Sequence, residues 1–211
     1  MGKKKKNDLE RRSYNFEIRT EAGEKGNKIT GRPIVYNRRT DMGYFDEVIL
    51  PGALDFADLT DVRFLVNHDL SKIPLARSRR NNGNSTMQLS VDAEGLYIEV
   101  ILDTENNAEA RALYSAVERG DITGMSFMFS IDSQKWEELE SEHPTRKIEK
   151  IGTVVEVSAV TFPAYTDTEI NARGKDALDN ARLALDNARN TRDNSLESEN
   201  IELMKQKLLL I

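Results

Sequence analysis

An α+β fold, mainly β, is what this chain of 211 residues predicts. Short β-like runs broken by turn residues dominate the stretch from about Arg12 to Arg173. One helical pattern stands among them, at residues 106–119, and the composition changes after Arg173. Many strands with few helices point to a β-barrel or sandwich with helices packed outside.

The elements follow in order. Residues 15–20 read as the first strand. Residues 28–36 read as the second, with Gly26-Asn27 as a turn before it. Val48 to Leu50 leads into Pro51-Gly52, and residues 53–59 suggest a short helix. Residues 61–67 form an apolar strand. Residues 86–91 and 95–102 are two strands joined by Asp92-Ala93-Glu94-Gly95, a hairpin signal. In residues 106–119, Ala110, Leu113 and Val117 share a helix face, and Gly120 sits where a C-terminal glycine cap belongs. Residues 122–131 and 148–162 read as strands, the second ending at Pro163. The polar segment 132–149 between them suggests an exposed excursion.

Beyond Arg173, Ala177-Leu-Asp-Asn-Ala-Arg182 recurs as Ala184-Leu-Asp-Asn-Ala-Arg189, which places Leu178, Ala181, Leu185 and Ala188 at heptad core spacing. Ile201, Met204, Leu208 and Ile211 repeat that spacing out of phase, with residues 190–199 as a polar linker. Two short amphipathic helices result, each needing a partner or the parent domain to pack against.

The net charge of -6 argues against a protein that binds nucleic acid as a whole. Lys3 to Lys6 and the cluster Arg77, Arg79 and Arg80 are local exceptions, and the first reads as a solvated terminus. The chain has no cysteine, so a cysteine nucleophile, a thiolate metal site and disulfides are excluded. The N-terminal lysines have no apolar run behind them, and no stretch approaches the roughly 18 apolar residues of a membrane helix. A soluble cytoplasmic protein is expected. With two histidines and no HExxH motif, no metal or other cofactor is called for.

Three segments carry chemistry. Alternation in residues 120–131 puts Gly124, Ser126 and Met128 on one face, with Met125, Phe127 and Phe129 on the other. Ser126 is the polar position in an apolar run, and Gly124 leaves space beside it. Residues 61–67 run straight into His68, a histidine at a strand end. In residues 153–163, Val154, Glu156, Ser158, Val160 and Phe162 alternate with Val155, Val157 and Ala159, so Glu156 sits among aliphatic side chains. A carboxylate there is costly unless paired, and an imidazolium is an effective partner. Each residue also has a plain structural reading: a small serine in a strand, a satisfied histidine, an edge glutamate facing water. Together they make a serine, its base and an orienting acid. No GxSxG elbow is present, against an α/β-hydrolase.

The segments Ile29-Thr-Gly-Arg-Pro-Ile-Val-Tyr36, Phe45-Asp-Glu-Val-Ile-Leu-Pro-Gly-Ala53, Phe64-Leu-Val-Asn-His-Asp69, Gly120-Asp-Ile-Thr-Gly-Met-Ser-Phe-Met-Phe129 and Glu156-Val-Ser-Ala-Val-Thr-Phe-Pro-Ala164 occur in an order that resembles the prohead proteases of tailed phages. That family is distantly similar to herpesvirus assemblins. The resemblance implies a closed or nearly closed β-barrel surrounded by helices, with His68 as base and Ser126 as nucleophile. Glu156 then takes the place of the third member, with His143 as its rival. Where the family often has a glycine-arginine pair, this chain has Leu75-Ala76-Arg77, which leaves a substrate role for Arg77 open.

The implied organisation is a basic, disordered N-terminus (residues 1–11), a protease domain (12–173) and a helical, heptad-like tail (174–211) that contacts scaffold or another copy. The implied activity is a serine endopeptidase inside the assembling procapsid in the host cytoplasm. It would cut the scaffolding segment of the major capsid protein, and itself. The reaction also needs oxyanion donors, which the sequence does not assign; the backbone after the Glu156 strand, in the region of residues 165–168, is where they are expected. The partners are the capsid protein and a second copy of the chain, with no membrane and no nucleic acid. The alternative is a non-enzymatic head-assembly or scaffolding protein with Ser126 merely packed.

Overall fold

The computed structural model describes residues 9–14, 18–23, 26–161 and 175–208. Eleven strands and two helices lie among them. Strands β1 (Leu9–Tyr14), β10 (Gly124–Glu137), β11 (Thr145–Val160), β5 (Asp46–Ile49) and β4 (Arg39–Asp41) pair in that order. Strand β6 (Asp61–Val66) joins the same sheet on β11 and carries β7 (Ala76–Arg79). A second sheet has the order β2 (Ile18–Gly23), β3 (Gly26–Val35), β9 (Gly95–Leu102) and β8 (Met87–Asp92).

One core lies between the sheets. Phe64, Met125, Phe127, Phe129, Val157 and Ala159 come from the first sheet, and Ile29, Ile34, Met87, Ile98 and Val100 from the second. Helix α1 (Ala108–Glu118) closes this core with Ala110, Leu113 and Val117. Asn107 caps it by accepting from the backbone N–H groups of Glu109 and Ala110, donors that the first turn leaves without partners. The tight β8–β9 turn requires Gly95: its φ is +139°, and a Cβ there would stand 2.0 Å from the Ile34 carbonyl oxygen.

No closed barrel forms among the described residues, contrary to the expectation drawn from the resemblance. The paired strands form two separate sheets that share one core, so the architecture is mainly β with a C-terminal helix. Among the described residues one helix, α1, contributes to the main core, rather than a surrounding set.

Four further expectations need correction. Residues 9–11 were expected in the disordered N-terminus but belong to β1, which pairs antiparallel with β10. Residues 53–59 are not a helix. Successive turns bond Ala53 N–H to Leu50 O, Asp55 N–H to Gly52 O and Ala57 N–H to Leu54 O. The polar segment 132–149 is the extended end of the β10–β11 hairpin, where the strands pair out to Glu137 and Thr145. Residues 190–199 are not a linker either: α2 (Lys175–Leu208) is one helix that runs through the first heptad seam and on to Leu208 of the second, while Ile211 lies outside the described residues. Lys3 to Lys6 lie outside the described residues.

Helix α2 docks at one end. Ala181 and Leu185 are buried against Met42 and Phe45, with Trp136 and Leu139 beside them. Arg189 donates to the carbonyls of Leu139 and Ser141 at the hairpin tip. Farther along, Leu196, Ile201 and Met204 are exposed. No helix among the described residues is long and apolar enough to cross a membrane.

Candidate functional site

The site is built on four adjacent strands, β6, β11, β10 and β1. Leu65 stands opposite Ser158, Ser158 opposite Ser126, and Ser126 opposite Ser13. The next row is Arg63, Glu156, Met128 and Arg11. Residues directly opposite one another point to the same face. Ser126, Ser158 and Glu156 therefore share the face away from the Phe127 core.

A β-bulge makes this possible. Glu156 pairs with Met128, but Val154 pairs with Phe129, so Val155 is an extra residue in β11. Simple alternation puts Val154 on the Glu156 side. The bulge instead turns Val154 into the core while Glu156 faces the site.

His68 follows the apolar strand β6. The ladder continues through a bond from Asn67 N–H to the Ala159 carbonyl, and then the chain turns. Asn67 and His68 have φ of +52° and +60°, a left-handed conformation that non-glycine residues adopt at a cost. His68 Nδ1 lies 2.5 Å from Glu156 Oε1. The Ser158 hydroxyl donates to Glu156 Oε2 over 2.5 Å and accepts the His68 backbone N–H over 3.1 Å. Glu156 and Ser158 are fully buried, and the His68 side chain is 13 % exposed. An ionised carboxylate only accepts, so a neutral imidazole in this contact carries its proton on Nδ1 and keeps Nε2 able to accept.

Ser126 is fully buried. Its hydroxyl donates to the Arg12 carbonyl over 2.7 Å and accepts from the Ser13 hydroxyl over 2.8 Å. In this form it is bonded to β1, not to the imidazole. The structure thus joins His68 to Glu156 directly. It brings Ser126 to the same face, one cross-strand step from Ser158.

Strand β1 is held by charge. Arg12 pairs with Glu10 and Glu47, and Arg146 pairs with the same two carboxylates. Burial pushes the Glu10 carboxyl up, but the charges of Arg12 and Arg146 and their hydrogen bonds pull it further down, to about 2. Glu47 and Arg146 are nearly inaccessible, so this is a desolvated network closed by mutual pairing.

His143 lies elsewhere. It sits beside Asp46 and Asp41, at 3.3 and 3.8 Å, and is 43 % exposed. That group adjoins the start of β11, the opposite end from Ser158. Among the described residues, Asp41, Asp46 and His143 are the group with a spacing that could hold a metal ion. Asp46 is already paired with Arg39. Arg77 is also engaged. It binds Asp61 through two nitrogens at 2.5 and 2.7 Å, and this bond is the main cause of the lowered Asp61 carboxyl pKa. Residues 165–168, expected to supply oxyanion donors, lie outside the described residues.

Sequence reasoning missed Ser158, Asn67 and β1. Ser158 was visible as the second polar residue on the Glu156 face, two positions on. Strand β1, Leu-Glu-Arg-Arg-Ser-Tyr, has no apolar alternation to mark it.

The sequence matches a family model described as caudovirus prohead serine protease over residues 14–181. No match is found among curated proteins. Among solved structures, the bacteriophage T4 capsid assembly protease gp21 is similar, with 12 % identity and a TM-score of 0.43 over 74 % of this chain and 98 % of that one. The family match takes in the strands that carry His68, Ser126 and Glu156 as well as most of the chain, and the chain belongs to the caudovirus prohead serine protease family.

Proposed function

We propose that the chain is a serine endopeptidase with Ser126 as nucleophile, His68 as general base and Glu156 as the acid that orients it. The observation that carries this reading is the 2.5 Å contact between His68 Nδ1 and Glu156 Oε1, on the face where Ser126 stands one strand away. A serine hydroxyl needs a base to take its proton, and the base needs an acid to hold its tautomer and stabilise its charge. Nε2 of His68 is the acceptor. Ser126 Oγ attacks the scissile carbonyl carbon while its proton passes to Nε2. The imidazolium then protonates the leaving amine, the peptide C–N bond breaks and an acyl-enzyme remains. Water attacks this ester with His68 again as base, which releases the new carboxylate and restores Ser126.

The observed contacts set one condition. The Ser126 hydroxyl is bonded to β1, so it must leave Arg12 and Ser13 before it can donate to His68. The chain is therefore held inactive until β1 parts from β10. An extended substrate then has the vacated edge of β10 to pair with. The substrate is the scaffolding segment of the major capsid protein, cut inside the procapsid, and the chain's own termini are further targets.

Intact-mass analysis after co-expression with the phage's major capsid protein tests this. Wild type should yield shortened capsid protein, and Ser126→Ala should yield full-length chains. Identical products from both would favour the second reading, a non-enzymatic assembly protein. The observation on its side is the complete burial of Ser126.

A further inference from the structure

We propose that Ser158 is the positioning residue of this site: its single hydroxyl fixes both the carboxylate that holds the base and the main chain that carries it. This rests on the assignment of His68 and Glu156 above and adds a residue to it. Ser158 is fully buried on β11, directly opposite Ser126. A hydroxyl offers one proton and two lone pairs. The backbone N–H of His68 cannot accept, so the proton has one destination, Glu156 Oε2, and a lone pair takes the His68 N–H. The rotor is thereby pinned in one orientation.

Two consequences follow for the base. With Oε2 occupied by Ser158, Glu156 presents Oε1 to His68 Nδ1. The carboxylate cannot rotate without losing one bond or the other. Next, Asn67 and His68 are two successive non-glycine residues in left-handed backbone, a state that persists only where the surroundings impose it. Asn67 is clasped by Thr161, whose N–H donates to Asn67 Oδ1 over 2.9 Å and whose hydroxyl receives Asn67 Nδ2 over 3.0 Å. For His68 itself, the backbone partner is Ser158. Removing that hydroxyl strips a buried N–H and a buried carboxylate oxygen of their partners together. The imidazole loses its fixed tautomer and direction rather than the fold losing its core.

Nuclear magnetic resonance of the 15N-labelled full chain reads this directly, because the sequence has two histidines and His143→Gln identifies the other. Wild type should show a downfield Nδ1–H signal from His68, slow to exchange because Glu156 holds it. Ser158→Ala should broaden or shift that signal while leaving the His143 signals in place, and Ser158→Thr should preserve it. A Ser158→Ala signal with wild-type position and exchange rate overturns the proposal, and so does a wild type with no such signal. If Ser158→Ala does not fold, Ser158→Cys decides. It keeps the approximate volume but donates weakly, so an unchanged signal there also overturns the role. Cleavage by Ser126→Ala would remove the catalytic assignment without touching this spectrum, so the two failures are distinguishable.

Discussion

Ser13 of β1 stands directly opposite Ser126 of β10, and its hydroxyl donates to the Ser126 oxygen over 2.8 Å. With the Arg12 carbonyl on the same hydroxyl, the proton and one lone pair of the proposed nucleophile are taken up by strand β1. Removal of residues 1–14 should therefore raise the rate at which a fluorophosphonate labels Ser126, by about tenfold for each 1.4 kcal/mol of lost β1 docking. Equal labelling of the full and shortened chains would show that β1 does not restrain the site.

Glu156→Gln keeps the size of the side chain but replaces an oxygen that accepts from Nδ1 with a group that can donate to it. The imidazole is then free to take the wrong tautomer. By analogy with the Asp→Asn change in a Ser-His-Asp triad, cleavage of the capsid protein should slow by about 10⁴-fold with the fold retained. A variant within tenfold of wild type would remove Glu156 from the reaction.

The charge network on β1 has a definite pH dependence. The Glu10 carboxyl is lowered in the folded chain from 4.5 to about 2. A carboxyl lowered by folding stabilises the fold while it is ionised. Its contribution is complete above about 4.5 and is lost as the pH falls toward 2. With Glu10 26 % exposed, the loss is up to about 3 kcal/mol. Denaturant unfolding between pH 5 and 2.5 should show this slope, and Glu10→Gln should flatten it. Equal slopes would mean that β1 is held by other contacts.

Trp136 is the one tryptophan of the chain and packs edge-on against Phe45, with ring centres 4.8 Å apart, next to Leu185 of α2. Its fluorescence should report helix docking. Leu185→Glu places a charge in this cluster and should shift the emission toward that of an exposed indole. Met204→Glu, on the exposed end of the same helix, should leave it unchanged. A silent Leu185→Glu would contradict the docking of α2 at this point.

Much of this architecture was legible because it repeats. The strands β6, β8 and β9 and the helix α1 each show a period that burial imposes, and their cores agree with it. Glu156 stood out because a carboxylate among aliphatic residues needs a partner, and His68 supplies one. What escaped depends on distant residues. Strand β1 is docked by Glu47 and Arg146, whose positions along the chain give no local sign of it. The hairpin ends of β10 and β11 are polar because they are partly exposed, so polarity alone mimicked a loop. Ala53 and Leu54 are buried and Ala57 is packed against the same core, a spacing of three to four residues that imitates a helix face, but Pro51-Gly52 starts a run of tight turns there. Whether two sheets join at their edges is decided by pairing across the whole molecule, which no single segment records.

The extra residue Val155 makes β11 sensitive to counting as well as to chemistry. Substituting Val155 by another β-branched residue keeps the count, and both halves of the strand stay in step. Deleting it forces a choice: either Val154 leaves the hydrophobic interior, or Glu156 and Ser158 swing away from His68. A library of single-codon deletions along this strand should therefore show a sharp minimum in cleavage here, at a position where many substitutions pass unnoticed.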